Sequence, residues 1–243
     1  MYFAKEPSEI EVIGDKNEVV ANFYQVAQDE DLFPLLQQLV VATPYARREW
    51  AIARNVWRNA DCFSELKKAW AFWVLSATCF SSSIGSGFAF DRNHNTVAKR
   101  FNNKKKNFGS RIKERLAKTC IENIGALDLI AARDTENAFF YIDPPYISER
   151  MGSKSGKNKV DQGHYSGYTV QDYDDLLTLL GGLKGKFILS NYPSDLLDKH
   201  VQANGRKVRS ETKALQAGSK VKGKVSSLKT EVLVANFDLV VEV

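Results

Sequence analysis

The sequence predicts an α/β fold, a doubly wound, mainly parallel sheet interrupted by a helical, basic insertion. Three observations carry this. Short apolar runs that read as strands alternate with amphipathic helical stretches toward both ends of the chain. The middle of the chain keeps helical spacing with few strand signals. Its 243 residues, 44% hydrophobic and 26% charged, suit one α/β domain, or one domain with a substantial insertion.

The elements follow in order. Residues 10–13 (IEVI) read as a buried strand ending at Gly14 and Asp15. Val19, Val20, Phe23, Tyr24 and Val26 then fall at helical spacing within 16–27. A second amphipathic stretch covers about 31–53 and breaks near Thr43 and Pro44. Residues 60–80 read as a helix whose Phe63, Trp70, Phe72 and Trp73 pack in a core. Residues 81–91 form a turn or hairpin. Residues 122–133 read as a strand and short helix, and 138–142 (AFFYI) as a strand buried on both faces. The Gly-, Ser- and Lys-rich 151–167 is expected to be a mobile loop. Residues 171–180 have a helical pattern capped by Thr169. Residues 187–189 form a strand running into Ser190, Asn191 and Tyr192, and 207–215 and 231–237 form two late strands. There is no internal repeat.

The longest apolar stretch, 69–80, falls well short of the ~20 residues a membrane helix needs, and the N-terminal residues have no secretory pattern. Cys62, Cys79 and Cys120 are odd in number and widely spaced, which suits three buried, reduced thiols of a cytosolic protein. His94, His164 and His200 lack metal-ligand spacing, so no metal is expected.

Charge narrows the partner. The net charge is +5, yet 98–118 carries nine basic residues against Glu114, and 205–229 carries eight against Glu211. The rest of the chain is acidic. Cations concentrated this way suit a polyanion such as nucleic acid, although a solvated lysine surface gives the same count.

The residues that carry chemistry are Asp143, Pro144, Pro145 and Tyr146, directly after the apolar strand. Ligands of open α/β sheets bind beyond the carboxyl ends of strands, where this motif falls. Taken alone, it also fits a rigid strand exit. Asp15 sits at the end of the first strand, either as a ribose-binding acid or as a plain helix cap.

With its flanking segments, the chain resembles the Dam-like class of DNA adenine methyltransferases, which use S-adenosylmethionine. The residues that carry the resemblance are 10–24 (IEVIGDKNEVVANFY), the strand and D-P-P-Y at 139–146, Gly163-His164-Tyr165-Ser166-Gly167-Tyr168, Ser190-Asn191-Tyr192, and 229–237 (KTEVLVANF). The resemblance implies a methyltransferase-type sheet with catalytic residues Asp143, Pro144, Pro145 and Tyr146. It assigns Asp15 and Asp143 to S-adenosylmethionine. It implies duplex DNA as substrate, adenine as the base, a setting in restriction–modification, repair or phage defence, and a cytoplasmic location in a prokaryote or its phage. Residues 1–44 and 122–243 would form the catalytic domain, and 45–121 an inserted target-recognition region. In that region Lys99, Arg100, Lys104, Lys105, Lys106, Arg111 and Arg115 are expected to form one DNA-facing surface. Tyr165 and Tyr168 would shape the base pocket, or are ordinary turn aromatics.

One departure stands out. The family's first strand and glycine-rich loop would precede Met1, so the sheet is expected to lack its first strand. Either another polypeptide fills that gap, the sheet closes differently, or the chain is a decayed fragment. The functional readings are an enzyme completed by a separate N-terminal fragment, a truncated and inactive DNA-binding relative, or a methylase of RNA or another planar amine.

Overall fold

The computed structural model describes residues 2–80, 84–146, 168–214 and 228–239. These divide into two compact units, one from 1–126 and one from 127–243.

In the first unit β1 (Glu11–Gly14) leads into α1 (Glu18–Gln28), followed by α2 (Leu32–Ala42), α3 (Arg47–Arg58) and α4 (Glu65–Thr78). Then come α5 (Thr96–Lys106), α6 (Ser110–Leu116) and β2 (Thr119–Glu122). β1 and β2 pair in parallel, from Glu11 opposite Thr119 to Gly14 opposite Glu122. The core gathers around α4, whose Trp70, Trp73, Val74 and Leu75 are buried. The aromatic helix is therefore core, as expected from its sequence. Trp70 keeps its indole N–H satisfied by donating to Thr43 Oγ1 at 2.8 Å. Residues beyond α4 turn back through a bridge between Cys79 and Phe88. Arg115 on α6 is tied to Glu11 on β1 through both guanidinium nitrogens and stacks over the Tyr2 ring. The Arg115 guanidinium holds the Glu11 carboxyl well below its usual range, at about 2.

The second unit contains α7 (Ala126–Arg133), β3 (Phe139–Ile142), α8 (Val170–Gly181), β4 (Lys186–Asn191), α9 (Asp195–Ala203), β5 (Lys207–Ala214) and β6 (Leu228–Ala235). Its sheet has the order β3-β4-β6-β5. Thr169 caps α8 through a reciprocal pair with Asp172, which satisfies two backbone donors at once. Tyr173, Leu176, Leu177 and Leu180 then fall on one face of α8 and bury against Ile142, Phe187, Leu189 and Val234. Each such buried side chain contributes roughly 1.5–3 kcal/mol before ordering entropy is counted.

Gly185, just before β4, is a close approach. A Cβ there would meet the Ala138 and Thr135 carbonyl oxygens at 2.9 Å. The same point is fixed by Asp134, which accepts from the Gly185 N–H at 2.9 Å, and by Asn236, which donates to its carbonyl at 2.8 Å. These bonds set the register of β3 against β4, Phe139 opposite Lys186.

Several expectations are corrected. The described strands form two sheets, and only β1–β2 and β3–β4 are parallel; β4–β6 and β6–β5 are antiparallel. β5 and β6 are consecutive in the chain, and an antiparallel return needs no helical crossover. The 138–142 run is not buried on both faces. Phe139 and Tyr141 are 54% and 42% exposed, whereas Ile142, on the face that packs α8, is buried; among the described residues β3 is the edge of its sheet. Of the three thiols only Cys79 is buried; Cys62 and Cys120 are exposed. α9 had no counterpart in the sequence reading, and β2 begins earlier than expected. Residues 151–167 lie outside the described residues. No described helix is long and apolar enough to cross a membrane.

Candidate active site

Asp143 follows Ile142 at the carboxyl end of β3, where the chain leaves the ladder. Pro144 cannot donate to a neighbouring strand, so the motif turns away from the sheet at this point. Pro144, Pro145 and Tyr146 are half-buried. The Tyr146 hydroxyl lies 2.6 Å from Ser190 Oγ on β4, and Asp143 hydrogen-bonds the Tyr146 side chain. Tyr141 reaches Ser190 as well. The Tyr192 ring meets Tyr146 edge-on, with centroids 4.5 Å apart at 90°. A carboxylate, three hydroxyls and a second ring thus converge at the ends of two parallel strands. Among the described residues β3 lies at the edge of its sheet, so Asp143 follows an edge strand.

The electrostatics follow from this crowding. Desolvation pushes the Asp143 carboxyl up, the Tyr146 hydrogen bond opposes that, and the charge of Glu231 adds to it. Asp143 is exposed as a residue, so it is the crowded carboxyl end that carries this penalty. Desolvation likewise pushes Tyr146 up to about 12 and raises Tyr141. Both phenols stay protonated at neutral pH and remain able to donate.

Asp15, in the first unit, sits at the carboxyl end of β1. Its N–H extends the ladder to the Glu122 carbonyl at 3.2 Å, and Oδ1 accepts from Asn17 N–H at 2.8 Å. The cap of α1 is Asn17, which accepts from Val19 and Val20. Asp15 is therefore not that cap. Asn123, just beyond β2, donates to the carbonyls of Asp15 and Lys16 at 2.9 and 3.1 Å.

The basic residues differ in exposure and in their partners. Lys99, Arg100 and Lys106 on α5 and Arg111 on α6 are exposed. Lys104 donates to the Ser76 carbonyl near the end of α4 at 2.9 Å, and Lys105 to the Thr43 carbonyl at the end of α2 at 2.8 Å. Burial, then the charge of Arg100, lowers the Lys104 pKa. Arg115 is held by Glu11 and Tyr2. Tyr165 lies outside the described residues. Tyr168 packs against the α8 core, its hydroxyl buried without a partner.

Ser190 and Tyr192 belong to the site but were read only as part of a motif. The signal was present, since the strand-end rule that singled out Asp143 applies equally to the parallel strand beside it.

This arrangement defines an α/β protein whose polar site is built on the ends of parallel strands around an acid, two prolines and a tyrosine. The chain belongs to the D12 class N6 adenine-specific DNA methyltransferase family, whose model matches residues 1–231. That family is one of enzymes, methyltransferases that act on adenine. No curated protein matches the chain.

Proposed function

We propose that this chain methylates the exocyclic amine of adenine in duplex DNA, with S-adenosylmethionine as donor. The observation that carries the reading is the Asp143–Tyr146–Ser190 chain of hydrogen bonds at the end of β3. An adenine amine is a weak nucleophile because its lone pair is delocalised into the ring. The Asp143 carboxylate and the Pro144 carbonyl each accept one amine hydrogen, which draws the nitrogen toward tetrahedral geometry and aims the lone pair. Such alignment is the protein's contribution, worth up to roughly 7–11 kcal/mol in well-oriented systems. A base inside a duplex is out of reach, so adenine is flipped out, and the Tyr146 ring gives it a stacking surface.

Each acid, taken by itself, suits a part of the cofactor. A carboxylate at the end of a parallel strand, as at Asp15, suits a ribose diol, and Asp143 suits a nearby cation. When bound, S-adenosylmethionine supplies an electrophilic methyl on a sulfonium. No metal takes part. In this reading 1–44 and 122–243 carry catalysis, 45–121 recognises the target, and Lys99, Arg100, Lys106 and Arg111 touch phosphate. In this reading the setting is cytoplasmic, in restriction, repair or phage defence.

A second reading is that another polypeptide completes the sheet. Among the described residues β1 pairs only with β2, and β3 only with β4. A two-stranded sheet is marginal by itself, and an edge exposing Phe139 and Tyr141 invites a further strand.

The test is transfer of a labelled methyl group to adenine-containing duplex DNA. It is run with the chain alone and with a polypeptide carrying a strand and glycine-rich loop. Weak transfer alone, strong transfer with the added polypeptide, and loss of both in Asp143→Ala are expected. No transfer under either condition sinks the enzymatic reading in favour of an inactive DNA-binding relative.

A further inference from the structure

The strand register brings a second acid to the motif. Ile142, Leu189 and Val234 form one cross-sheet row, all buried on the face that packs α8. Side chains alternate along a strand, so Tyr141, Ser190, Leu233 and Glu231 belong to the opposite face. Glu231 lies one residue before Val232, which pairs with Asn191 at the carboxyl end of β4. It is exposed, and its charge is felt by Asp143, Tyr141 and Tyr146 together. The residue directly opposite Glu231 on β5 is Glu211. Along the same face the register places Arg209 opposite Leu233 on one side of this pair and Lys213 opposite Lys229 on the other.

We propose that Glu231 is a second acidic member of the active site, a positioning residue that acts on the target amine through Asp143. The proposal rests on the reading of Asp143 as the acceptor for that amine. A methylated amine nitrogen is cationic until it sheds a proton. Two carboxylates on one face stabilise that charge. The proton passes from nitrogen to Asp143 and from there to water, and a neighbouring negative charge makes Asp143 the better acceptor.

Other charged and titratable groups share this face. Lys186 on β4 and Lys207 on β5 lie at its far end, where Lys186 sits 5.8 Å from the Phe237 ring and Lys207 pairs with Asp238 at 3.1 Å. Arg209, Glu211 and Lys213 hold this register face on β5 and Lys229 on β6, and Tyr146 and Tyr192 come from the segments beyond β3 and β4.

The experiment is a carbon-13 NMR titration of the Asp143 carboxyl in the full chain. In Glu231→Gln its midpoint should fall below that of the unsubstituted chain, and in Glu231→Asp it should stay close. Raising salt on the unsubstituted chain should move the midpoint in the same downward direction, a readout that needs no substitution. A midpoint unmoved by both Glu231→Gln and salt overturns the proposal. So does an equal fall in Glu211→Gln, which would show a general field of the sheet. The underlying reading fails separately, if Asp143→Asn still methylates adenine.

Discussion

Which cations meet DNA is decided by where the α5 lysines spend their charge. Lys99, Arg100 and Lys106 are exposed, whereas Lys104 and Lys105 donate to carbonyls at the ends of α4 and α2. Binding that neutralises Z phosphates of duplex DNA falls with salt at a log–log slope of about −0.9 Z. The triple variant Lys99→Ala, Arg100→Ala, Lys106→Ala should therefore flatten the slope by roughly 2.7 if each residue meets one phosphate. Over a fourfold rise in salt, that is roughly a 40-fold difference in affinity change. The double variant Lys104→Ala, Lys105→Ala should leave the slope alone. It should instead lower stability by about 1–2 kcal/mol, because two helix-end carbonyls lose charged partners. Fluorescence anisotropy of a labelled duplex across a salt series, with urea unfolding alongside, reads both. An unchanged slope in the triple variant, or a slope flattened by the double one, would refute the assignment.

Two further outcomes are expected. Gly185→Ala should cost roughly 1–3 kcal/mol in urea unfolding, because the new methyl meets two backbone oxygens that cannot swing aside; a cost below about 0.5 kcal/mol would show that the turn yields. Glu11 is held low by Arg115, so its contribution is fully present above the ordinary carboxylate range and is lost as pH falls toward about 2; near-UV circular dichroism should show that loss, and Glu11→Gln should lack this part of the pH dependence.

The sequence revealed those parts of the fold that local chemistry dictates. The periodicity of Leu176, Leu177 and Leu180 and the Thr169 cap lie within α8 itself, so its start was readable. α9 carries the same kind of signal, since Ser194 caps it through the Leu197 N–H, but its pattern is only nine residues long. Burial on both faces of β3 could not be read, because AFFYI is apolar at every position whether a strand is central or at an edge. The motif residues were legible because a strand end, an acid and two prolines are contiguous. Ser190 and Glu231 reach the site only through the register of β4 and β6, and a charge run cannot tell a lysine facing solvent from one capping a helix.

Asn123 binds the turn between β1 and α1 from outside, holding the carbonyls of Asp15 and Lys16 from the end of the neighbouring strand. Asp15 therefore does not wait for a ligand to order it. In the reading that gives Asp15 a ribose to hold, the ribose meets a turn already folded, and the ordering entropy that would weaken the grip has been spent during folding. On the same reading such a turn also selects its guest, since it cannot reshape around a molecule whose hydroxyls are spaced differently.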